Sequence, residues 1–354
     1  MPFTFGDSLS SLVSQGSLQD VVDLTTLRNS VVGTKKIHIL VPKEFSLTLT
    51  SLPLLTELSL QSCTFEDAVS FHGIELKLVR LRLENIRWDD TPDEITLLCN
   101  CPLLKVLFLG WHYRIAHTMH GIDDRTLPPK LHDLTVISAN YSWSTNRIRR
   151  LQEEETFFRF ITALNGLRRL TLNGGWPVFE SEAFTQDKQA FPDDLEAYAG
   201  PIHFFRSTAP AHLGLKDVTF MESHLTISEI QDFLPSLPMA TRVALVGVCL
   251  EEDLLFDETL LTIAFRRFQN VEEFLIDSAH IPAEGPGPVF DVLRQSIHML
   301  EKIRYLIIPD IDAFDLEIEE AFSDLTDISP SLMGIQVEDQ KWMYDGQRWI
   351  EVDN

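Results

Sequence analysis

Three histidines and two aspartates lie close together in the chain and have side chains that metal ions bind. His112, His117 and His120 come shortly before Asp123 and Asp124. Two histidines that bind one metal ion from the same face of a helix would be four residues apart, and no two of these histidines have that spacing. The stretch follows a strand pattern, and we expect it to be an irregular loop. We therefore predict that these residues form a polar loop and hold no metal ion.

Two further patterns lack the spacing that a metal site needs. A single residue separates Cys99 from Cys101, and no second cysteine pair exists, so burial at a helix end explains them better than zinc. Asp310, Asp312 and Asp315 resemble a calcium loop but lack its glycine and its closing glutamate. The motifs of serine hydrolases, phosphate-binding loops and dinucleotide-binding folds are absent from the sequence. The sequence therefore predicts no enzyme and no cofactor.

The charge of the chain is strongly negative and unevenly distributed. The formal net charge is −24 at pH 7. Residues 251–354 contribute −17 of it, from 24 acidic and 7 basic side chains, and residues 1–250 contribute −7. Phosphate backbones and anionic lipids repel such a chain, so we expect neither nucleic acid nor a membrane as a partner. The charge favours solubility, or a basic protein partner for the C-terminal third.

The N-terminus and the cysteines indicate a reducing compartment. The N-terminus has no basic segment followed by an apolar core, and no stretch reaches the roughly eighteen apolar residues of a membrane span. Four cysteines are too few and too scattered for a disulfide network. We expect a monomer in the cytoplasm or the nucleus.

A short sequence pattern that recurs along the chain, called the repeat phrase below, predicts the strands and helices of this protein. Leu55, Leu58, Leu60, Cys63 and Phe65 fit the leucine-rich-repeat pattern, in which leucines occupy the first, fourth and sixth positions. The phrase returns with all three leucines at starts 78, 104 and 167. Leucine makes up 50 of the 354 residues, so chance alone would produce only about one such match.

Looser matches, in which other apolar residues replace the leucines, extend the phrase along the chain. They start at residues 131, 215, 240, 271, 303 and 332. Most successive starts are 23–32 residues apart, and the longer intervals of 36 and 48 predict insertions, mainly over 176–212. We predict an α/β leucine-rich-repeat solenoid of about ten irregular repeats, with short parallel strands and helices on its convex side.

Helical patterns lie between the phrases. Thr91 and Glu94 fit a capping box, with Pro92 at the first helical position. A second capping box starts at Ser228. Apolar residues at helical spacing predict further helices, which lie over 149–164, 230–234, 257–268, 288–300 and 316–322.

The two ends of the chain differ from the repeats between them. Residues 1–54 carry a poor repeat near Ile39 and a helical pattern over 18–27. Residues 341–354 fit a hairpin on an Asp-Gly turn. We assign the two ends as an N-terminal capping region and a C-terminal hairpin cap, with the repeats over 55–340.

Strand alternation selects the residues that would line the concave side of such a solenoid. In each phrase the last two leucines point into the core, and positions three, five and seven point outward. Exposed apolar side chains at such positions commonly mark a protein-binding surface. The predicted surface comprises Arg80, Arg82, Phe108, Trp111, Ile137, Arg169, Met221, Val246, Glu273, Leu275, Asp277, Tyr305 and Ile307. The alternative is that inserted loops cover this face.

Several details of the repeats are shared with one protein family. They are the Asn-Cys-Pro-Leu-Leu-Lys run over 100–105, Cys63 at the ninth position of its phrase, irregular repeat lengths, and a Trp-rich hairpin around Asp345. In these features the chain resembles the repeat half of fungal F-box proteins, over roughly residues 35–350. The resemblance implies a substrate receptor of a cullin-based ubiquitin ligase. No Leu-Pro-x-Glu opening of an F-box precedes the repeats, so binding of the ligase adaptor would need an F-box upstream of Met1.

Three functions are compatible with these patterns. The first is a ligase substrate receptor, or a remnant of one without its F-box. The second is a stand-alone regulator or inhibitor, in which the acidic C-terminal third holds a basic partner. The third is a metal-dependent enzyme that uses the 112–124 loop, which the histidine spacing disfavours. We predict a protein-binding scaffold that is not an enzyme, and the sequence does not identify its partner.

Overall fold

The structure, a computed structural model, divides the chain into two compact units. The N-terminal unit spans Met1–Ser181 and Ala190–Asp194, and the C-terminal unit spans Glu182–Gln189 and Leu195–Asn354. Each unit is mixed α/β, and its main sheet is open and mostly parallel. The residues that the structure describes are 21–23, 39–41, 45–50, 52, 54–65, 71–88, 94–119, 127–138, 144–176, 192, 194–202, 204, 214–225, 237–250, 258–277, 287–308, 318–337 and 340–352.

The N-terminal unit has two parallel sheets in its described part. Its strands are β1 (Val21–Asp23), β2 (Ile39–Val41), β3 (Glu57–Gln61), β4 (Cys63–Phe65), β5 (Arg80–Glu84), β6 (Arg87–Trp88), β7 (Val106–Trp111), β8 (Asp133–Ser138) and β9 (Arg169–Gly174). Its helices are α1 (Phe45–Thr50), α2 (Glu94–Cys99), α3 (Tyr113–Met119) and α4 (Arg147–Ala163). The first sheet has the order β1-β3-β5-β7-β8-β9, and the second has the order β2-β4-β6.

The C-terminal unit has one sheet that ends in a hairpin. Its strands are β10 (Ala197–Gly200), β11 (Asp217–Leu225), β12 (Arg242–Leu250), β13 (Glu273–Asp277), β14 (Tyr305–Ile308), β15 (Gly334–Val337), β16 (Gln340–Tyr344) and β17 (Trp349–Val352). Its helices are α5 (Glu258–Arg267), α6 (Gly287–Ser296), a short 3-10 helix (Ile297–Met299) and α7 (Ile318–Ile328). The strands pair in sequence order, parallel from β10 to β15 and antiparallel from β15 to β17.

All ten repeat phrases coincide with strands. Each of these strands begins two residues after the start of its phrase, as β3 does at Glu57 and β15 does at Gly334. The fourth and sixth positions of the phrases are buried because successive residues of a strand point to opposite sides. In β7, for example, Leu107 and Leu109 are at most 1% exposed while Phe108 between them is half-buried. The apolar periodicity therefore predicts both the strands and their buried side.

The antiparallel hairpin β16–β17 packs against the last helix of its unit. The Asp345 carboxylate accepts hydrogen bonds from the backbone N–H groups of Gln347 and Arg348, at 2.8 and 2.9 Å, and closes the turn. Those two bonds lower the pKa of the Asp345 carboxyl. Trp342 and Trp349 each lie 5.4 Å from Phe322 of α7, measured between ring centroids. The two tryptophans thus add an aromatic layer to the core of the C-terminal unit.

The structure overturns one expectation for the N-terminal region and places the strand of another. The helical pattern over 18–27 contains β1, whose residues Val21 and Val22 pair with β3 in parallel register. Valine favours strands, and the exposed edge of β3 provides backbone partners that the local apolar spacing does not reveal. The poor repeat near Ile39 provides β2, which belongs to the second sheet and pairs with β4.

The expected insertion over 176–212 contains a strand that the repeat pattern did not predict. Strand β10 pairs in parallel with β11, and Tyr198 takes the place of the second leucine. Tyr198 is 2% exposed, stacks on Phe204, and donates its hydroxyl hydrogen bond to the carbonyl of Pro201 at 2.9 Å. A tyrosine and Gly200 at two of the three leucine positions hid this strand, because the pattern accepted only aliphatic residues, phenylalanine or alanine.

Helices α4, α5 and α6 lie close to their predicted positions, whereas α7 ends six residues beyond its predicted end at 322 and α1 was not predicted. Helix α4 begins two residues before its predicted start, because Asn146 caps it by accepting from the backbone N–H groups of Ile148 and Arg149. The predicted helix over 230–234 and its capping box lie outside the described residues. None of the helices that the structure describes is long and apolar enough to cross a membrane.

Candidate functional site

The candidate site lies on the side of the C-terminal sheet opposite its buried leucine positions. We call this side the C-terminal outward face, and it carries Asp217, Arg242, Glu273, Tyr305 and Gly334 in one row across β11 to β15. Parallel strands in this register bring residues from separate repeats to within about 5 Å of their neighbours. The row therefore places charged and aromatic groups side by side although they are 25 to 32 residues apart along the chain.

An ion-pair ladder occupies one end of this row. The Arg242 guanidinium lies 2.7 Å from a Glu273 carboxylate oxygen and 3.1 Å from an Asp217 carboxylate oxygen. The hydrogen bond to Glu273, together with the nearby Asp217 carboxylate, raises the pKa of Arg242 above its usual value. Two carboxylates share one guanidinium, so the ladder has one negative charge in excess.

A shallow depression lies next to this ladder. Its volume is about 260 Å³, and its outward-facing lining residues are Glu273, Tyr305, Ile307, Gly334, Gln336 and Lys341. The Tyr305 ring lies over Gly334, where an added Cβ would be 2.7 Å from the ring and 3.1 Å from the sulfur of Met343. Because Gly334 has no side chain, the Tyr305 ring can lie against the sheet. The ring forms one wall of the depression, and polar groups lie at its rim.

The predicted surface residues of the C-terminal unit lie on this outward face. Met221, Val246, Glu273, Leu275, Tyr305 and Ile307 are all half-buried there. Strand β13 includes Asp277, whose side chain is outside the described residues. The depression brings together three of the predicted residues, namely Glu273, Tyr305 and Ile307.

The predicted surface residues of the N-terminal unit have partners that the sequence did not reveal. Arg80 lies 3.5 Å from Glu57 on the neighbouring strand. Arg82 pairs with Glu84 at 2.7 Å, and its guanidinium carbon lies 5.3 Å from the centre of the Phe108 ring. In the same unit Ile137 is half-buried and Arg169 is exposed. Phe108 is therefore half-buried and partly covered by a cation–π contact with Arg82.

Trp111 does not belong to the predicted surface, and its assignment there was wrong. It is 2% exposed and packs between Phe157 and Phe160 of α4, at centroid distances of 4.8 and 6.2 Å. Trp111 is an even number of residues from the buried Leu107 and Leu109, so strand alternation turns it inward. The tryptophan is a core residue of the N-terminal unit.

The stretch that contains the three histidines is partly helical, which corrects the expectation of an irregular polar loop. Helix α3 carries His117 on its exposed side, and His112 precedes the helix with its Nε2 atom 3.4 Å from a Glu94 carboxylate oxygen. Within the described part of the chain, no group of three histidine, cysteine, aspartate or glutamate side chains is arranged to hold a metal ion. His120, Asp123 and Asp124 lie outside the described residues, as do Asp310, Asp312 and Asp315.

Two of the cysteines are buried thiols. Burial raises the pKa values of Cys63 and Cys101 to about 12. The Cys101 thiol donates to the carbonyl of Leu97 at 3.1 Å, one turn back in the helix that precedes it. These thiols stay protonated at neutral pH, so neither of them is a nucleophile.

Three residues of the depression were not selected for the predicted surface. Gly334 and Gln336 occupy outward positions of a phrase, and Lys341 belongs to the antiparallel strand β16, outside the repeat pattern. A glycine inside a strand signals a close approach by another group, so Gly334 could have been found from the sequence. Lys341 could not, because its position follows from the pairing of β16 with β15.

Comparison of the chain with models of protein families and with curated proteins gives no match. The function must therefore be inferred from the geometry of the outward face and from the repeat pattern.

Proposed function

We propose that this chain is a leucine-rich-repeat protein that binds a protein partner on its C-terminal outward face. The repeat assignment is supported by strands that each begin at the same point of a phrase, by the burial of the leucine positions, and by parallel pairing in sequence order within each unit. Repeat scaffolds of this kind use their surface for recognition, and their cores serve stability.

One observation carries the assignment of the binding surface. Tyr305, Ile307 and Leu275 are partly exposed on two neighbouring strands, beside a depression of about 260 Å³. Aromatic side chains bury a large area at low cost in rotamer entropy, and they are frequent hot spots of protein interfaces. Glu273, Gln336 and Lys341 surround the apolar centre, and such a polar rim is the usual arrangement of an interface.

The shape of the depression favours a protein side chain over a small metabolite. It is open to solvent on one side, and its volume of about 260 Å³ lies at the lower end of the pockets of roughly 300–1,000 Å³ that enclose small-molecule ligands. A small molecule would stay largely in water here, whereas a protein surface can cover the whole patch. The role as a ligase substrate receptor stays a prediction from the resemblance, and binding of the ligase adaptor to the purified protein would test it.

A site-specific cross-linking experiment tests the proposed surface. We would place a photo-reactive amino acid at Ile307, and as a control at Asp327 on the exposed side of α7. Cross-linking in cell extract should join the same protein reproducibly to position 307 and not to position 327. Equal yields from both positions would contradict the proposal.

A variant of the anchor residue then measures the contribution of the site. Tyr305→Ala should weaken binding of the cross-linked partner by about 2 kcal/mol or more, because a large aromatic contact is lost. Lys302→Ala changes an exposed side chain of the same unit and should leave binding unchanged. Isothermal titration calorimetry with the purified partner would measure both, and equal affinities would contradict a role for Tyr305.

A further inference from the structure

The last strand of the C-terminal sheet, β17, lies at the edge of the sheet that the structure describes. Within the described part of the chain, β17 pairs only with β16. The backbone N–H of Asp345 donates to the carbonyl of Arg348, so this pair closes the hairpin with a hydrogen bond. Hydrogen-bonded and non-hydrogen-bonded pairs alternate along an antiparallel ladder, so Ile350 and Val352 bond to β16. The backbone N–H and C=O groups of Trp349 and Glu351 therefore point away from β16, in the plane of the sheet.

Strand β17 is short and has few of the residues that usually keep a sheet edge from pairing. It contains no proline, lysine or glycine, and its only charged residue is Glu351. Ile350 and Val352 are 40% and 41% exposed, among the most exposed large apolar residues of the described chain. They point to the outward face, in register with Met343 and Lys341 of β16. An exposed edge with apolar side chains is suited to accepting another strand.

The two sides of β17 differ in chemistry. Ile350 and Val352 continue the apolar part of the outward face. Trp349 points to the other side, where its indole N–H donates to the Thr326 hydroxyl of α7 at 3.1 Å, and alternation places Glu351 on that side as well. An added strand would thus meet apolar groups on one side and the exposed Glu351 carboxylate on the other.

We propose that β17 accepts a basic, extended segment of a partner protein as an additional antiparallel or parallel strand. This inference rests on the proposed function and specifies the chemistry of the partner. A second copy of this chain would bring another −17 charges from residues 251–354 to the same edge, so repulsion disfavours self-pairing. The segment that fits has apolar residues beside Ile350 and Val352 and a lysine or arginine beside Glu351.

Synthetic peptides test strand addition directly. The probe is a fluorescent peptide of alternating lysine and valine, about six residues long, which is the usual length of a strand. Its controls are the same peptide with N-methyl groups on alternate amides, which removes the donors, and a peptide in which glutamate replaces lysine. Fluorescence anisotropy should show that the basic probe binds at least about tenfold more tightly than either control. Equal binding of the N-methylated probe would overturn the proposal, since charge alone would then explain the affinity.

Two substitutions in β17 give matched variants. Glu351→Pro removes an N–H group that points away from β16, so the hairpin keeps its internal bonds while the edge loses a donor. It should abolish binding of the basic probe. Glu351→Lys keeps the backbone N–H donor at this position and reverses the charge of the side chain. The glutamate peptide should then bind more tightly than the lysine peptide. If Glu351→Lys keeps the original preference, the proposal is wrong.

The outcomes separate this inference from the proposed function. If Tyr305→Ala releases the cross-linked partner while the peptides do not bind and Glu351→Pro has no effect, the outward face binds a partner and strand addition is wrong. If the basic probe binds through β17 while position 307 cross-links nothing, strand addition holds and the proposed surface is wrong. A dimer in sedimentation that Glu351→Pro dissociates would overturn the choice of a partner over a second copy.

Discussion

Neighbouring carboxyl groups on helix α4 have different environments at the residue scale. Glu153 is 9% exposed and accepts a hydrogen bond from the backbone N–H of Ser144 at 2.9 Å. Glu154 is fully buried and lies 3.5 Å from Arg150, and Glu155 is exposed. Burial raises the pKa of Glu153, although the bond from Ser144 and the charge of Arg149 act in the opposite direction. The folded protein therefore holds this proton to a higher pH than the unfolded chain does.

Replacement of Glu153 by glutamine tests this environment. The pKa of Glu153 is higher in the folded protein than in the unfolded chain, where it is about 4.3. Glu153 therefore contributes stability at pH values below its unfolded pKa, and this contribution is lost as the pH rises through its folded pKa. Glu153→Gln removes the cost of the buried charge and keeps an acceptor for Ser144. We expect the variant to be more stable than the wild type near about pH 8, with a gain that shrinks towards about pH 5.

Urea denaturation at several pH values would measure the gain. Glu155→Gln, the same change at the exposed neighbouring position, serves as the control and should show no pH-dependent gain. A Glu153→Gln gain that does not change with pH would show that the carboxyl group is not the cause.

Strand alternation determines the two sides of each sheet at the element scale. In β9, Leu170 is 1% exposed while Arg169, the residue before it, is exposed. Both residues lie on the same strand, and their side chains point to opposite sides of the sheet. A pair of neighbouring substitutions therefore isolates the contribution of the core.

Leu170→Ala should destabilise the N-terminal unit by about 2–5 kcal/mol, because it opens a cavity among closely packed side chains. Arg169→Ala should change stability by less than about 0.5 kcal/mol. Urea denaturation followed by tryptophan fluorescence measures both variants. Similar midpoints for the two would mean that the register of the repeat phrase is wrong.

At the scale of the whole molecule, the negative charge is concentrated in the last part of the chain. Residues 251–354 carry −17 of the total charge of −24. Several charges on the outward faces are neutralised locally, as Arg242 is by Glu273 and Asp217. The long-range field therefore comes from the excess of carboxylates, and it should act on the approach of a partner more than on the bound complex.

Salt should accordingly slow the association of the partner cross-linked at Ile307. Raising sodium chloride from about 50 mM to about 500 mM should reduce the association rate by about tenfold and change the dissociation rate little. Surface plasmon resonance separates the two rates. Association that does not depend on salt would exclude an electrostatic role for the acidic third, and the partner would then bind by apolar contact alone.

The repeat phrases were sufficient to predict ten strands, their buried sides and most of the outward residues. The signal is local, because alternation along a strand depends only on neighbouring residues. The same rule places Trp111 in the core, so its assignment to the surface was an avoidable error. The run Glu153–Glu155 shows the limit of local patterns, because charged residues suggest a solvated surface and only the packing of α4 shows that two of them are buried.

The tertiary structure decided which outward residues meet. Tyr305 lies over Gly334, and Arg242 joins Asp217 to Glu273, because strand register aligns repeats of unequal length. The edge position of β17 likewise depends on where the hairpin pairs, which no phrase encodes. The sequence by itself determined the strands and the excess of negative charge, since both depend on composition and short-range order. The depression and the edge depend on contacts between distant residues, and these exist only in the folded chain.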